Sequence, residues 1–109
     1  MNISGVPFST TDWGGIEPVE VRRGSGATFE RTVERGNIRL RIIEYHPGFE
    51  SGHWCERGHV AFVLTGSLTV ELKDGRTFTL MSGMSFQVAN GDGWHRVTSQ
   101  EGASIFVVD

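Results

Sequence analysis

The sequence predicts an all-β protein, either a small sandwich or a barrel. One series of glycines between Gly36 and Gly102 recurs every 8 to 12 residues, which is the spacing of short strands closed by turns. Between these glycines apolar and polar residues alternate, and no stretch has the apolar spacing of an amphipathic helix. An immunoglobulin-like sandwich, an open five-stranded barrel and a small jelly roll all fit this pattern.

The N-terminal third is the least regular part of the chain. We expect an irregular arm over residues 1–26, in which Trp13 packs on its own barrel or on a second subunit, and then a strand near residues 27–33. Strict alternation follows at residues 38–42, which predicts a half-buried strand with its isoleucines and leucine inward and Arg39 and Arg41 in solvent.

The remaining strands are predicted from apolar runs and turn signals. Residues 60–64 are apolar at every position, which is typical of a strand buried on both faces. Gly66-Ser67 and Asp74-Gly75 are predicted hairpin turns. Alternation predicts further strands at residues 68–72, 77–80 and 84–88, and a β-rich segment at residues 105–108.

Length and charge narrow the class of protein. A chain of 109 residues and 12.0 kDa suits one domain spanning residues 1–109. The formal charge of −3, with no basic run longer than Arg22-Arg23, argues against a nucleic-acid partner. Residues 1–7 lack the features of a secretory signal, so we expect a cytoplasmic protein. No apolar stretch approaches the roughly 20 residues of a membrane helix, so we expect no membrane partner.

A cluster of metal-ligand residue types lies in the middle of the sequence. His53, Cys55 and His59 fall within seven residues. Two residues apart in an extended segment, His53 and Cys55 project from the same face, and Gly58 permits the bend that brings His59 to them. His95 follows a glycine-rich turn and would arrive from another strand. The pattern is that of a His3Cys metal site.

The same residues allow other interpretations. Cys55 could be an ordinary buried apolar residue, with the histidines as polar residues at strand ends, since H-x-C-x3-H is no zinc-finger pattern. It could also be a catalytic thiolate paired with His53 or His59, or a redox-sensing thiol without a resolving partner. His46 lies at a strand-to-turn junction and is interpreted as a surface residue.

No catalytic residue is assigned from spacing. An arginine could anchor a substrate carboxylate, but alternating arginines on strands more often form the solvated face. Three further residues could transfer protons, but their spacing is that of ordinary surface residues. The residues in these two groups are Arg39, Arg41, Arg57, Arg76 and Arg96, and Tyr45, Glu50 and Glu56.

The metal-ligand motif resembles that of the cupins. Their first motif has the form G-x5-H-x-H-x3-4-E-x6-G. Here Cys55 stands at the second His and His59 at the Glu, and Gly66 follows seven residues later. The second cupin motif supplies one more histidine, which here is His95, in the segment that Gly83 opens. The chain is most similar to the small DHCW-motif cupins, named for Asp, His, Cys and Trp, and the resemblance covers essentially its whole length.

The resemblance implies a double-stranded β-helix, a small jelly-roll barrel, with His53, Cys55, His59 and His95 as metal ligands inside it. Two positions depart from the family pattern. Gly52 stands where the family name leads us to expect Asp, and Trp94 stands where Pro usually precedes the last His. Because cupins are commonly homodimers, the resemblance also implies a homodimer.

Three functions remain open at this point. The chain could be a metalloenzyme acting on a small molecule in the barrel, a non-catalytic module that binds or senses a small ligand or the metal, or a protein with a closed structural zinc site. The implied cofactor is a divalent ion of zinc, iron, nickel, manganese or copper. The thiolate of Cys55 would favour zinc, copper or iron over magnesium or calcium. Cupins include dioxygenases, isomerases, lyases and binding proteins, so no reaction is implied.

Overall fold

The computed structural model describes residues 2–23 and 26–109. Apart from one 3-10 turn at Trp13–Gly15, its regular elements are all strands, which confirms the all-β prediction. Gly24 and Ser25, which belong to the predicted arm, lie outside the described residues, as does Met1. The strands are β1 (Val19–Arg23), β2 (Gly26–Arg35), β3 (Ile38–Tyr45), β4 (Phe49–Glu50), β5 (His59–Leu72), β6 (Thr77–Met81), β7 (Ser85–Val88), β8 (His95–Ser99) and β9 (Ala103–Val108).

These strands form one curled antiparallel sheet with β5 at its centre. The main order is β1-β2-β3-β9-β5-β8-β4, and β6 and β7 also pair with β5. The first half of β5 pairs with β7 and β9, and its second half pairs with β6 and β8. Because one strand takes part in both halves of the sheet, the sheet curls around an interior.

The prediction of a hairpin turn at Gly66-Ser67 is wrong, because both residues lie inside β5. The strand continues through both residues, and Gly66 has φ +75, a left-handed conformation that favours glycine. A Cβ there would lie 2.0 Å from the carbonyl oxygen of Gly102, so only glycine allows this close approach. The prediction of a turn at Asp74-Gly75 is confirmed, because these residues connect β5 to β6.

The orientation of β3 is the reverse of the one expected from its alternation. Arg41 and Ile43 are buried at 7% and 4% exposure, whereas Leu40 and Ile42 lie on the opposite face and are only half-buried. Arg39 is also half-buried rather than in solvent. The arginines face inward because buried carboxylates pair with them, as described below.

The apolar run at residues 60–64 is half-buried rather than buried on both faces. Ala61 and Val63 are each 1% exposed, but Val60, Phe62 and Leu64 are 42%, 42% and 38% exposed. This part of β5 alternates like an ordinary antiparallel strand, with one face on the core and the other open to solvent. We call the three exposed side chains the outer face of β5.

The N-terminal arm is more ordered than expected. Strand β1 lies within the segment predicted to be irregular, and it pairs antiparallel with β2. Trp13 packs edge-on against Phe106 of β9, with ring centroids 6.0 Å apart, so the arm packs on its own chain. Arg31 donates to the carbonyl of Ile16 at 2.9 Å and secures the arm on β2.

The core lies inside the curl, beside a cavity. Burial of each large aliphatic side chain there contributes about 1.5–3 kcal/mol relative to its exposed state. No helix in the described ranges has the length and hydropathy that a bilayer crossing demands. The main cluster of buried core residues consists of Ile43, Ala61, Val63, Leu68, Val70, Leu80, Ile105 and Val107.

Candidate metal centre

Backbone pairing places two of the expected ligands side by side. Cys55 lies between β4 and β5, and His95 is the first residue of β8. The Cys55 N–H donates to the His95 carbonyl at 2.7 Å, and the His95 N–H donates to the Cys55 carbonyl at 2.9 Å. Residues paired in this way lie directly opposite each other, with their side chains on one face.

His59 joins this pair from the start of β5. Its Nε2 lies 2.9 Å from Nε2 of His95, and the two rings are nearly perpendicular at 81°. One ligand atom from each of Cys55, His59 and His95 lies within 4.8 Å of the others. His95 is buried at 4% exposure, and the other two residues are half-buried.

His53 stands apart from this cluster. Its side chain is exposed, and it lines the same cavity as the three clustered residues. The segment that carries it begins at Gly52, whose φ of +77 is left-handed and favours glycine over the Asp expected from the family pattern. The role of His53 as a ligand stays a prediction.

The Nδ1 atoms of His59 and His95, which point away from the cluster, lie in different surroundings. His95 Nδ1 lies 2.7 Å from the carbonyl oxygen of Gly93, which can only accept, so Nδ1 is the donor. His59 Nδ1 lies 3.6 Å from Oδ2 of Asp109, and none of the described residues offers it a partner within hydrogen-bonding distance. Carboxylates and carbonyls at this position are the usual outer partners of metal-binding histidines.

His59 is in the protonation state that a metal ligand needs. Burial is the main cause that lowers its pKa to about 4, and the neighbouring His95 lowers it further. At neutral pH the imidazole is therefore uncharged and has a lone pair to donate.

The cluster fits a transition-metal ion. Two imidazole nitrogens bound to one zinc ion at about 2.0–2.1 Å lie about 2.9–3.4 Å apart for angles of about 90–110°. The Nε2 atoms of His59 and His95, 2.9 Å apart, need little movement to reach this arrangement. A sulfur and two imidazoles also match the donor preference of zinc, copper and iron.

A cavity of about 110 Å³ adjoins the cluster. It exceeds the roughly 10–15 Å³ that one water molecule needs, so it can hold a small molecule. Its polar side chains are two guanidinium groups, two hydroxyl groups, three imidazoles and the thiol. No carboxylate is among the lining residues in the described part of the chain. The lining residues are Arg41, Ile43, Tyr45, Phe49, Ser51, His53, Cys55, His59, Ala61, Phe86, His95, Arg96, Val97, Ile105 and Val107.

A buried ion-pair network lies behind His59. Arg39 binds Asp109 through two hydrogen bonds of 2.9 and 3.0 Å, and Arg41 Nη2 approaches Oδ2 of the same carboxylate at 3.2 Å. Arg41 Nη1 also pairs with Glu30 at 3.3 Å, and Glu30 accepts a hydrogen bond of 2.6 Å from Thr28. Two buried carboxylates thus face two guanidinium groups.

Asp109 is ionised in this network. Burial raises the pKa of its carboxyl, but the hydrogen bonds from Arg39 and the charges of Arg41 and Arg39 outweigh that effect and hold the pKa below its usual range. The Asp109 side chain is only 2% exposed.

Sequence reasoning missed Asp109 and assigned Arg41 to the solvated face. Alternation along β9 could have found the aspartate, because Ala103, Ile105 and Val107 are buried and Asp109 is next in the same period. No comparable local signal marks Arg41, because its carboxylate partners are distant in sequence.

The other weighed residues divide between the cavity and the surface. Arg96 lines the cavity, lies over the Trp54 ring at 4.4 Å and pairs with Glu71 at 2.5 Å. Tyr45 also lines the cavity and is half-buried. The exposed residues are His46, Glu50, Glu56, Arg57 and Arg76, and Arg76 pairs with the exposed Asp74.

Among known proteins, only solved structures show a similarity to this chain. No family model matches the sequence, and no curated protein matches it. A cupin of the RmlC-like type from Shewanella frigidimarina superposes with a TM-score of 0.74 at 17% identity, over 95% of this chain and 91% of the other. A protein from Thermotoga maritima described as a predicted oxalate decarboxylase gives 0.75 at 11% identity, over 92% and 96%.

A third structure is similar over less of its own length. Ectoine synthase from P. lautus superposes with a TM-score of 0.74 at 13% identity, over 93% of this chain and 76% of the synthase. At these identities the likeness concerns the fold. The resemblance to cupins seen in the sequence is confirmed at that level, and this chain has the cupin fold.

Proposed function

With the cupin fold as the premise, we propose that this chain binds a divalent transition-metal ion through Cys55, His59 and His95, with His53 as a fourth ligand. The observation that carries the proposal is the convergence of three ligand atoms within 4.8 Å on the wall of a cavity. Zinc, iron, nickel, manganese and copper all remain candidate ions, and the sulfur ligand favours zinc, copper or iron.

His53 is proposed as a ligand because it lines the cavity that Cys55, His59 and His95 also line. Its exposed imidazole is not held by a hydrogen bond among the described contacts, so its side chain is free to change rotamer. A shell completed by His53 would contain three imidazoles and one thiolate.

We further propose that the metal serves a reaction on a small molecule in the cavity. A bound ion would act there as a Lewis acid. The apolar walls contributed by Ile43, Phe86 and Val107 would exclude water, while the hydroxyl of Tyr45 and the guanidinium of Arg96 could orient a polar ligand. Two structurally similar proteins, the synthase and the predicted decarboxylase, carry enzyme names, which supports this direction by analogy only.

The alternatives are a non-catalytic module that binds a small ligand or the metal, and a closed structural zinc site. The cavity beside the cluster favours an open site over a closed one, because a structural zinc ion needs no space for a further ligand. Elemental analysis combined with substrate screens distinguishes the three.

The first experiment is metal analysis of protein purified without chelator, for the unaltered chain, His95→Ala and His46→Ala. We expect near-stoichiometric metal in the unaltered chain and in His46→Ala, which alters an exposed histidine outside the cluster. His95→Ala should lose most of the metal. Protein that stays metal-free even after reconstitution, or full occupancy in His95→Ala, contradicts the proposal.

We also propose that the chain forms a homodimer through the outer face of β5. Its three apolar side chains are each about 40% exposed, and Phe62 pairs in register with Phe106 of β9. A second copy would remove this apolar area from water. A cytoplasmic location remains part of the proposal.

A further inference from the structure

We infer that Asp109 is a positioning residue, which fixes the tautomer of His59 so that Nε2 offers its lone pair to the metal. This inference rests on the proposed function and concerns how the protein prepares the site. It follows from the partners of four ring nitrogens, two on His59 and two on His95.

The tautomer of His95 is set by the backbone. Its Nδ1 lies 2.7 Å from the carbonyl oxygen of Gly93, an atom that can only accept a hydrogen bond. Nδ1 therefore carries the proton, and in the uncharged ring Nε2 has a free lone pair directed at His59, 2.9 Å away.

His59 then has two possible uncharged tautomers. With its proton on Nε2, it would donate to His95, but its Nδ1 would direct a lone pair at the Asp109 carboxylate 3.6 Å away. With its proton on Nδ1, the ring faces Asp109 with an N–H. Both Nε2 atoms then direct lone pairs at one point, which is favourable only when a cation lies between them.

Asp109 is held firmly enough to impose this choice. The two hydrogen bonds from Arg39 restrain both carboxylate oxygens, and Arg41 contacts Oδ2, the oxygen nearest to His59. Arg41 is itself held from its other side by Glu30. A carboxylate restrained by two guanidinium groups cannot rotate away from His59 without losing charge-assisted hydrogen bonds.

Nδ1 of His59 has no other partner to compete with the carboxylate. It is buried and has no hydrogen-bond partner within the described residues, and the acceptor that lies near it is Asp109 Oδ2. A shift of a few tenths of an ångström converts this contact into a hydrogen bond. Such a shift would accompany the movement of the His59 ring as Nε2 binds the metal.

The test compares Asp109→Asn with Asp74→Asn. Both changes remove one negative charge from an aspartate that pairs with arginine, but Asp74 is exposed and pairs with Arg76 away from the cluster. Zinc affinity is measured by competition with a chromophoric chelator. We expect a loss of about 10–100-fold for Asp109→Asn, as is typical when an outer partner of a metal-binding histidine is altered, and none for Asp74→Asn.

A second measurement tests the tautomer of His59 directly. Long-range nitrogen–proton NMR of zinc-loaded unaltered protein reports which His59 nitrogen carries the proton. We expect the proton on Nδ1 and the metal on Nε2. The opposite assignment overturns the inference, and this readout needs no variant, so the inference can still be overturned if Asp109→Asn fails to fold.

The outcomes distinguish the two proposals. Unaltered protein that binds no zinc or other transition metal refutes the proposed metal site, and the positioning role with it. Unaltered protein that binds zinc, together with an Asp109→Asn variant of equal affinity, refutes only the role of Asp109.

Discussion

Cys55 and His95 form a two-way backbone pair, in which each residue donates its N–H to the carbonyl of the other, at 2.7 and 2.9 Å. The pair joins the segment after β4 to the start of β8, so residues 40 positions apart in the sequence present their side chains to one point. The backbone, rather than the side chains, holds the two candidate ligands together.

This pairing makes Cys55→Ser an informative variant. The backbone bonds should persist, so the strand signal in circular dichroism should be unchanged. Zinc affinity should fall by more than the roughly 10–100-fold expected for an outer partner, because serine is a far poorer ligand than a thiolate. Ser9→Ala, which removes an exposed hydroxyl outside the cavity, is the control. Equal zinc affinity of Cys55→Ser and the unaltered chain would remove Cys55 from the proposed shell.

The stability of the EDTA-treated protein should depend on His59 in mildly acidic solution. Its pKa is lowered from 6.5 to about 4, so the unfolded chain binds a proton more readily than the folded one between these values. The free energy of unfolding should therefore be insensitive to this group above pH 6.5 and should decrease as the pH falls from 6.5 towards 4. Urea titrations across this range measure the slope.

The matching control is His59→Gln, which removes the titrating group. Its unfolding free energy should show a smaller decrease over the same pH window. An identical slope in both proteins would mean that the acid sensitivity comes from other groups.

The buried network should be costly to interrupt. Arg41→Ala would leave Glu30 and Asp109 with one less cationic partner at sites of 6% and 2% side-chain exposure. Loss of one member of a buried ion pair typically lowers stability by about 3–5 kcal/mol. Chemical denaturation should show such a loss, whereas Arg76→Ala, in an exposed pair, should change little. A small effect of Arg41→Ala would indicate that water reaches the two carboxylates.

A charge on the outer face of β5 should separate the proposed dimer. Phe62→Lys would place an ammonium group at the centre of this face, where burial against a second copy is strongly unfavourable. Light scattering after size exclusion should report a dimer for the unaltered chain and a monomer for the variant. Phe78→Lys, on β6, is the control, because Phe78 is similarly exposed at 48%.

The result for the unaltered chain decides whether a dimer exists at all. A monomer at micromolar concentration would contradict the proposal, and a dimer that survives Phe62→Lys would place the interface elsewhere on the surface.

Local signals were sufficient for much of the architecture. Glycine spacing and alternation predicted the all-β class, the turn at Asp74-Gly75 and the last strand, because turns and pleats depend on neighbouring residues. The motif around Cys55 likewise identified ligand types that the fold brings together with His95. Strand β1 was missed because it is only five residues long and is flanked by turn-forming residues.

Tertiary structure decided what faces inward. A period of two divides a strand into two faces, but it does not say which face meets the interior when charged residues can find buried partners. Arg41 turns inward because Glu30 and Asp109, 11 and 68 residues away, neutralise it there. Those partners are brought together only by the pairing of β2, β3 and β9.

The candidate site shows the same division. Residue types and their spacing predicted Cys55, His59 and His95 as candidate ligands and predicted strands near them. Only the folded chain decided that these three converge while His53 stays at the cavity edge, and that Asp109 lies behind His59. The physical reason is that ligand chemistry belongs to single residues, whereas distance between them depends on sheet register and curl.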